Sequence, residues 1–214
     1  IQDIRKHFSN GKKKVLLVAP TGSGKTVIAS SMLEQAKEKN NFGLFVAHRR
    51  ELVMQCSRKL ADFEIKHGVI MASKSGNVYA DIQIASIQTF TSRVGRDDFI
   101  KPNAHLIIID EAHRSTSASF KKLIAEYPDA WVIGLTATPC RADGKGLGNV
   151  YQELVECGNI KELTQKGYLV PNRIVAPTIP DLQNIRIVAG DYEKRSLDNR
   201  MNTPKLVGDL VSHW

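Results

Sequence analysis

The stretch Val15-Leu16-Leu17-Val18-Ala19-Pro20-Thr21-Gly22-Ser23-Gly24-Lys25-Thr26-Val27-Ile28-Ala29 decides how this chain folds. A short apolar run, two glycines one residue apart, a Lys-Thr pair and a helical periodicity give the order strand, tight loop, helix. Gly22 and Gly24 let the backbone turn with its N–H groups facing inward, and the helix behind them adds the positive end of its dipole. Such a loop cradles phosphate. Its candidate residues are Thr21, Gly22, Ser23, Gly24, Lys25 and Thr26, with Lys25 on the β- and γ-phosphates of a nucleotide and the Thr26 hydroxyl on Mg²⁺. The first position of the pattern is Ala19 where glycine is usual, and the inner glycines are intact. A plain glycine-rich turn is the alternative, but the helix behind it would more naturally open on an acid than on Lys25.

Outward from this loop, further apolar runs occupy 44–47, 69–72, 82–87, 106–109 and 131–135. They are short, rich in β-branched residues and continuous rather than alternating, as in strands covered on both faces. Between them, Ala29, Met32, Leu33 and Ala36, and again Phe120, Leu123, Ile124 and Tyr127, recur at helical spacing. Val53, Cys56, Leu60 and Phe63 form a looser stripe, and Ile1, Ile4 and Phe8 open the chain on another. The expected fold is α/β, a mainly parallel sheet with helices on both faces.

The pattern changes near residue 140. A glycine-rich loop covers 141–148, strand-like pieces follow at 154–157 and 173–176, and Pro171, Pro177 and Pro180 mark a linker or sheet edge. Val207, Leu210, Val211 and Trp214 make a terminal helical stripe. Residues 1–158 are therefore expected to form one domain, and 159–214 a linker segment and terminal helix.

A second catalytic feature follows the run Leu106-Ile107-Ile108-Ile109, where Asp110 and Glu111 stand at the end of a strand. The apolar run presents two carboxylates at the sheet edge without burying them within it. Asp110 suits the metal, directly or through water, and Glu111 suits orienting or activating an attacking water. With the phosphate loop, this makes Lys25, Asp110 and Glu111 the catalytic candidates and Thr26 with Asp110 the metal ligands. An acidic pair after a strand also occurs as a simple helix cap.

These segments carry a resemblance. Asp110-Glu111-Ala112-His113 resembles the DEAH form of the Walker B motif of superfamily 2 helicases and translocases, and Thr136-Ala137-Thr138-Pro139 resembles their motif III. Val46-Ala47-His48-Arg49-Arg50-Glu51-Leu52 is similar to motif Ia, and Ala85-Ser86-Ile87-Gln88-Thr89-Phe90 to the segment between Ia and II. Order and spacing agree over 14–140. The resemblance implies a RecA-like P-loop NTPase domain, ATP hydrolysis with Mg²⁺, and movement along or remodelling of nucleic acid. It further implies that His113, Thr136 and Thr138 couple the nucleotide site to the nucleic-acid site. Read from the residues alone, His113 is equally a helix-start histidine bonded to a carbonyl, and the threonines are turn caps.

Composition agrees with a polyanionic partner. In 214 residues, 30 Lys and Arg against 22 Asp and Glu leave a net charge of +8, which suits nucleic acid. Arg49 and Arg50 sit where a helix begins, so their charge opposes its dipole unless an external phosphate relieves it; solvated surface arginines are the plainer reading. Ser86, Gln88 and Thr89 are neutral donors suited to positioning a strand without reading bases. Aromatic residues make up 7%, which favours backbone tracking over base stacking. Lys12 to Lys14 read as a solvated turn. Three cysteines form neither a disulfide framework nor a zinc clamp, and no run is long enough for a membrane helix, so the expected setting is cytoplasmic.

What the resemblance also implies is incomplete here. Family members carry a second RecA-like domain with an arginine-bearing motif, Gln/His-x-x-Gly-Arg-x-x-Arg, and no such segment occurs in the sequence. The adenine-contacting element would precede Ile1, and the first residue is not Met. The expectation is thus the ATP-binding half of a nucleic-acid-dependent ATPase, weakly active alone, with DNA favoured over RNA. A nucleotide-switched clamp without net hydrolysis and a small-molecule P-loop kinase are the alternatives.

Overall fold

The structure is a computed structural model, and it describes residues 1–72, 74–140, 144–171, 182–183, 185, 187–188 and 191–202. The expected strand at 173–176, the terminal stripe from Val207 to Trp214 and part of the loop after residue 140 lie outside the described residues. The chain divides into two compact units, Ile1–Val170 and Pro171–Trp214.

In the first unit the elements run in chain order α1 (Gln2–Ser9), β1 (Lys14–Val18), α2 (Lys25–Glu38), β2 (Gly43–Ala47), α3 (Arg50–Asp62), β3 (Gly68–Met71), β4 (Lys74–Ser75) and β5 (Ile82–Ser86). They continue with α4 (Ile87–Arg93), β6 (Leu106–Asp110), a 3₁₀ turn (Ala112–Arg114), α5 (Ala118–Ala125), β7 (Trp131–Thr136), β8 (Glu153–Glu156) and α6 (Ile160–Gln165). The sheet has the order β4, β3, β5, β2, β6, β7, β1, β8. Every neighbouring pair is parallel except the short β3–β4 hairpin.

Continuous apolar strands follow from cover on both faces. Along β2, Phe45 and Ala47 pack on the side of α2 and α3, while Leu44 and Val46 pack on the side of α4 and α5. Along β6, Leu106 and Ile108 take the first side and Ile107 and Ile109 the second. Each fully buried Leu or Ile contributes roughly 1.5–3 kcal/mol relative to exposure, so these two central strands are held from both faces. Helix α1 closes the amino end of the sheet, where Phe8 stacks on Trp131 with centroids 5.8 Å apart. In the second unit, β9 (Ile187–Val188) and β10 (Asp191–Tyr192) form an antiparallel pair, followed by α7 (Lys194–Met201).

Candidate nucleotide site and its neighbouring edge

Strand register brings the candidates together. Val18 pairs with Thr136 and Asp110 with Leu135, so the phosphate loop, the end of β7 and the acidic pair leave the sheet at one level of its carboxyl edge. Asp110 and Val18 stand two strands apart, roughly 10 Å at the usual spacing. That gap suits the phosphates of a nucleotide and a hydrated cation. An apolar cavity of about 380 Å³, lined by Ile4, Phe8, Met32, Leu106 and Trp131 among others, lies at the opposite end of the strands and has no part in this chemistry.

The loop has the backbone its glycines were expected to permit. Gly22 and Gly24 adopt φ of 80° and 81°, and Gly24 precedes α2 with no side-chain cap on the first N–H groups. Those donors face outward from the helix start, where an anion satisfies them. The Lys25 ammonium donates to the carbonyls of Ala19 and Pro20, each at 3.0 Å. The Ser23 hydroxyl donates to Pro20 O at 2.6 Å. Thr21 is exposed and Thr26 half-buried at the head of α2. The Ala19 N–H donates to Thr136 O at 2.9 Å, tying the loop directly to β7. Leu169 lies over the loop: a Cβ on Gly22 would come within 3.0 Å of its Cδ2.

Asp110 ends β6, and its Oδ1 accepts the Glu111 N–H at 3.0 Å. Burial pushes its carboxyl above the usual range; the Glu111 N–H and the Lys25 charge pull it back, and the Glu111 charge adds to the rise. A half-buried carboxylate of this kind gains from a cation. With the Thr26 hydroxyl it makes a hard oxygen set that fits Mg²⁺, which keeps several waters and takes its other ligands from phosphate. Glu111 is strained, with φ of 52° in the left-handed region, a conformation that L side chains adopt at a cost and that clusters at functional sites.

A short network links this acid to β7. Glu111 Oε2 lies 3.3 Å from His113 Nδ1, and the same nitrogen lies 3.4 Å from Thr136 Oγ1. The buried Thr136 hydroxyl donates to Thr138 O at 2.8 Å and accepts the Thr138 N–H at 3.1 Å. With that hydroxyl proton committed, both neighbours of His113 Nδ1 are acceptors, so Nδ1 carries the proton and is shared between Glu111 and Thr136. Among the described residues, His113 Nδ1 meets side chains and no main-chain carbonyl.

Beside this half of the edge lie the candidates for nucleic acid. Arg49 and Arg50 are exposed at the start of α3, whose N-cap is Arg49 with no side-chain cap. Ser86, at the end of β5, donates to Gln88 Oε1 at 2.8 Å, and Gln88 Nε2 donates to His48 O at 2.9 Å. Ser86 and Gln88 thus brace the loop before α3. Thr89 is buried in α4. No site role for His48, Arg114 or Leu169 is legible in sequence, where His48 stands only within the motif Ia resemblance; the register and the packing bring them to the site.

A family model described as the type III restriction enzyme, res subunit, matches residues 1–141. A 51.5 kDa protein of a Lactococcus phage is 28% identical over 199 residues, covering 93% of this chain and 40% of that protein. A putative ATP-dependent helicase, IRC3, of Saccharomyces cerevisiae is 30% identical over 213 residues, covering 92% of this chain and 31% of that protein. The chain therefore spans well under half the length of these relatives. Among solved structures, the Hef helicase domain of Pyrococcus furiosus superposes with a TM-score of 0.57 at 24% identity, covering 72% of this chain and 37% of that one. The parallel sheet, the phosphate loop and the acidic pair thus share the RecA-like fold of a helicase domain, and the chain belongs to the family of the type III restriction enzyme res subunit.

Proposed function

We propose that this chain is the ATP-binding and hydrolysing half of a nucleic-acid-dependent ATPase, a helicase or translocase acting on DNA. The observation that carries the reading is the shared level of Lys25, Asp110, Glu111 and Thr136 at one sheet edge. The yeast relative, described as a putative ATP-dependent helicase, supports it. The DEAH ending in His113, rather than in a second Asp, favours DNA, and the basic surplus suits a nucleic acid of either kind.

In the proposed reaction the uncapped start of α2 and the loop N–H groups hold the phosphates. Lys25 leaves the carbonyls of Ala19 and Pro20 for the β- and γ-phosphates. Thr26 and Asp110 hold Mg²⁺, which when bound neutralises charge developing on the phosphoryl oxygens. Glu111 orients a water in line with the γ-phosphorus and accepts its proton as the new P–O bond forms and the bond to ADP breaks. His113 keeps the Glu111 carboxylate aimed, and Thr136 ties that aim to β7 and, through Ala19, to the loop. Arg49 and Arg50 hold backbone phosphates of a strand. A second RecA-like domain supplies an arginine, an element worth about 10³–10⁵ in rate in related phosphoryl transfer; the chain's share of its relatives' length leaves room for it. Among the described residues no helix is long and apolar enough to cross a membrane, and the unpaired thiols of Cys56, Cys140 and Cys157 fit a cytoplasmic setting.

The test is Lys25→Ala in the full-length protein. Loss of one preorganised charge at the transferring group lowers kcat by about 10²–10³, read as phosphate release with and without single-stranded DNA. An unchanged rate refutes the reading.

A further inference from the structure

His48 occupies the junction between the two groups of residues at the carboxyl edge. It directly follows β2, which lies between β5 on one side and β6 on the other. Val46 pairs with Ile109 as the last pair of that ladder, so His48 and Glu111 each follow the end of one of two adjacent strands, β2 and β6. Adjacent strands lie roughly 4.8 Å apart. On its other side, the His48 carbonyl is held by Gln88, and the next two residues are Arg49 and Arg50.

The ring itself is unusual. Both nitrogens of His48 are shielded from solvent, and neither has a hydrogen-bond partner among the described residues. A buried imidazole with an idle donor and an idle acceptor is costly, so a rearrangement that supplies partners is favoured. Burial, then the charges of Arg114 and Arg49, hold its pKa below the ordinary histidine range, while Glu111 opposes and His113 adds to the lowering. The ring is therefore neutral near pH 7, with one N–H donor and one bare nitrogen. The groups that act on it electrostatically match these two needs: Glu111 is an acceptor and Arg114 a donor.

We infer that His48 is the positioning residue through which a strand gripped at Arg49 and Arg50 acts on Glu111. Docking of a backbone phosphate at the start of α3 shifts the segment Ala47–Arg50, whose far side is anchored by Gln88. The ring then donates its N–H to the Glu111 carboxylate and accepts from the Arg114 guanidinium. Glu111, which among the described residues is held by His113, becomes held on both sides and aimed at the water. No proton changes owner in this step. This inference rests on the functional reading above and adds to it the route by which nucleic acid stimulates hydrolysis.

The test compares His48→Phe and His48→Gln in the full-length protein, with a mixed-sequence single-stranded DNA oligonucleotide as the probe. Phe fills the volume without polar atoms, so it removes two unpaired nitrogens and the melting temperature holds or rises. Its ratio of DNA-stimulated to unstimulated kcat falls by about tenfold or more, within the usual range of coupling between sites. Gln offers a donor and an acceptor and keeps most of the ratio, and affinity for the oligonucleotide, read by fluorescence anisotropy, changes little in either variant. A wild-type ratio in His48→Phe overturns the inference, as does an equal loss in both variants. A fall in oligonucleotide affinity that accounts for the lost stimulation also overturns it, since His48 would then be a contact. A wild-type protein that the oligonucleotide does not stimulate brings down the functional reading itself.

Discussion

The carboxyl edge of the sheet has two halves built on different principles. In the half formed by β1, β7 and β6, position is set by the main chain. Ala19 N–H bonds to Thr136 O, Lys25 rests on two loop carbonyls, and Glu111 is aimed by a left-handed backbone. In the half formed by β2 and β5, side chains brace one another, Ser86 on Gln88 and Gln88 on the His48 carbonyl, while Arg49 and Arg50 stand in solvent. The first half suits a ligand of one fixed shape, because backbone donors cost no reorganisation at the moment of reaction. The second suits a polymer held at any register, because long charged side chains adapt to successive phosphates.

The sharpest way to break this contrast is Glu111→Gln in the full-length protein. The amide keeps the shape and the bond to His113 but cannot take the water's proton, so kcat falls by about 10²–10⁴. ATP affinity, measured by a fluorescent analogue, stays near wild type because the loop is untouched. If kcat and ATP affinity fall together, Glu111 holds the loop in place and the division between binding and chemistry within this half is wrong.

A smaller effect separates the network from the loop. Thr136→Val preserves volume but strands the Thr138 N–H and carbonyl that the hydroxyl now satisfies. Urea unfolding should show a loss of about 0.5–1.5 kcal/mol, the net worth of an intramolecular hydrogen bond, since Thr138 is exposed. DNA stimulation of hydrolysis should fall with it, because His113 loses one of its two neighbours. A variant as stable as wild type would mean that Thr138 finds water instead.

The first half was also the more legible in sequence, for the same physical reason. A backbone-built site demands particular residue types at fixed spacing, such as Gly22 and Gly24 before Lys25, or Asp110 at the end of an apolar run. The central strands were legible because cover on both faces leaves few polar positions in them, Gln83 in β5 being one. Helix α4 was hidden, since Ile87 reads as the end of the apolar run of β5 and seven residues are too few for a period to show. Helix α6, the β9–β10 pair and α7 fell in what read as linker. His48 is visible in sequence only as part of the motif Ia resemblance, because its place beside the end of β6 comes from pairing between strands 63 residues apart, as Val46 with Ile109. The roles of Ser86 and Gln88 were equally hidden: their residue types suit a bound strand or a neighbouring side chain, and only the structure shows them bonded to each other.

The smallest effect belongs to the second half, and its form matters more than its size. If Arg49 and Arg50 each hold one backbone phosphate, neutralising them weakens binding uniformly across sequences, because phosphates carry no base identity. For a single strand, each lost phosphate contact also lowers the slope of log K against log salt by about 0.7. The double substitution Arg49→Gln and Arg50→Gln should therefore flatten the salt dependence by about 1.4 and leave relative affinity for different sequences unchanged. Helix α3 should become slightly more stable, since two positive charges leave its positive end, a gain of about 0.3–1 kcal/mol per charge at most. A variant with weaker binding but an unaltered salt slope would locate the phosphate contacts elsewhere on the basic surface, and the division of the edge into a nucleotide half and a strand half would fall with it.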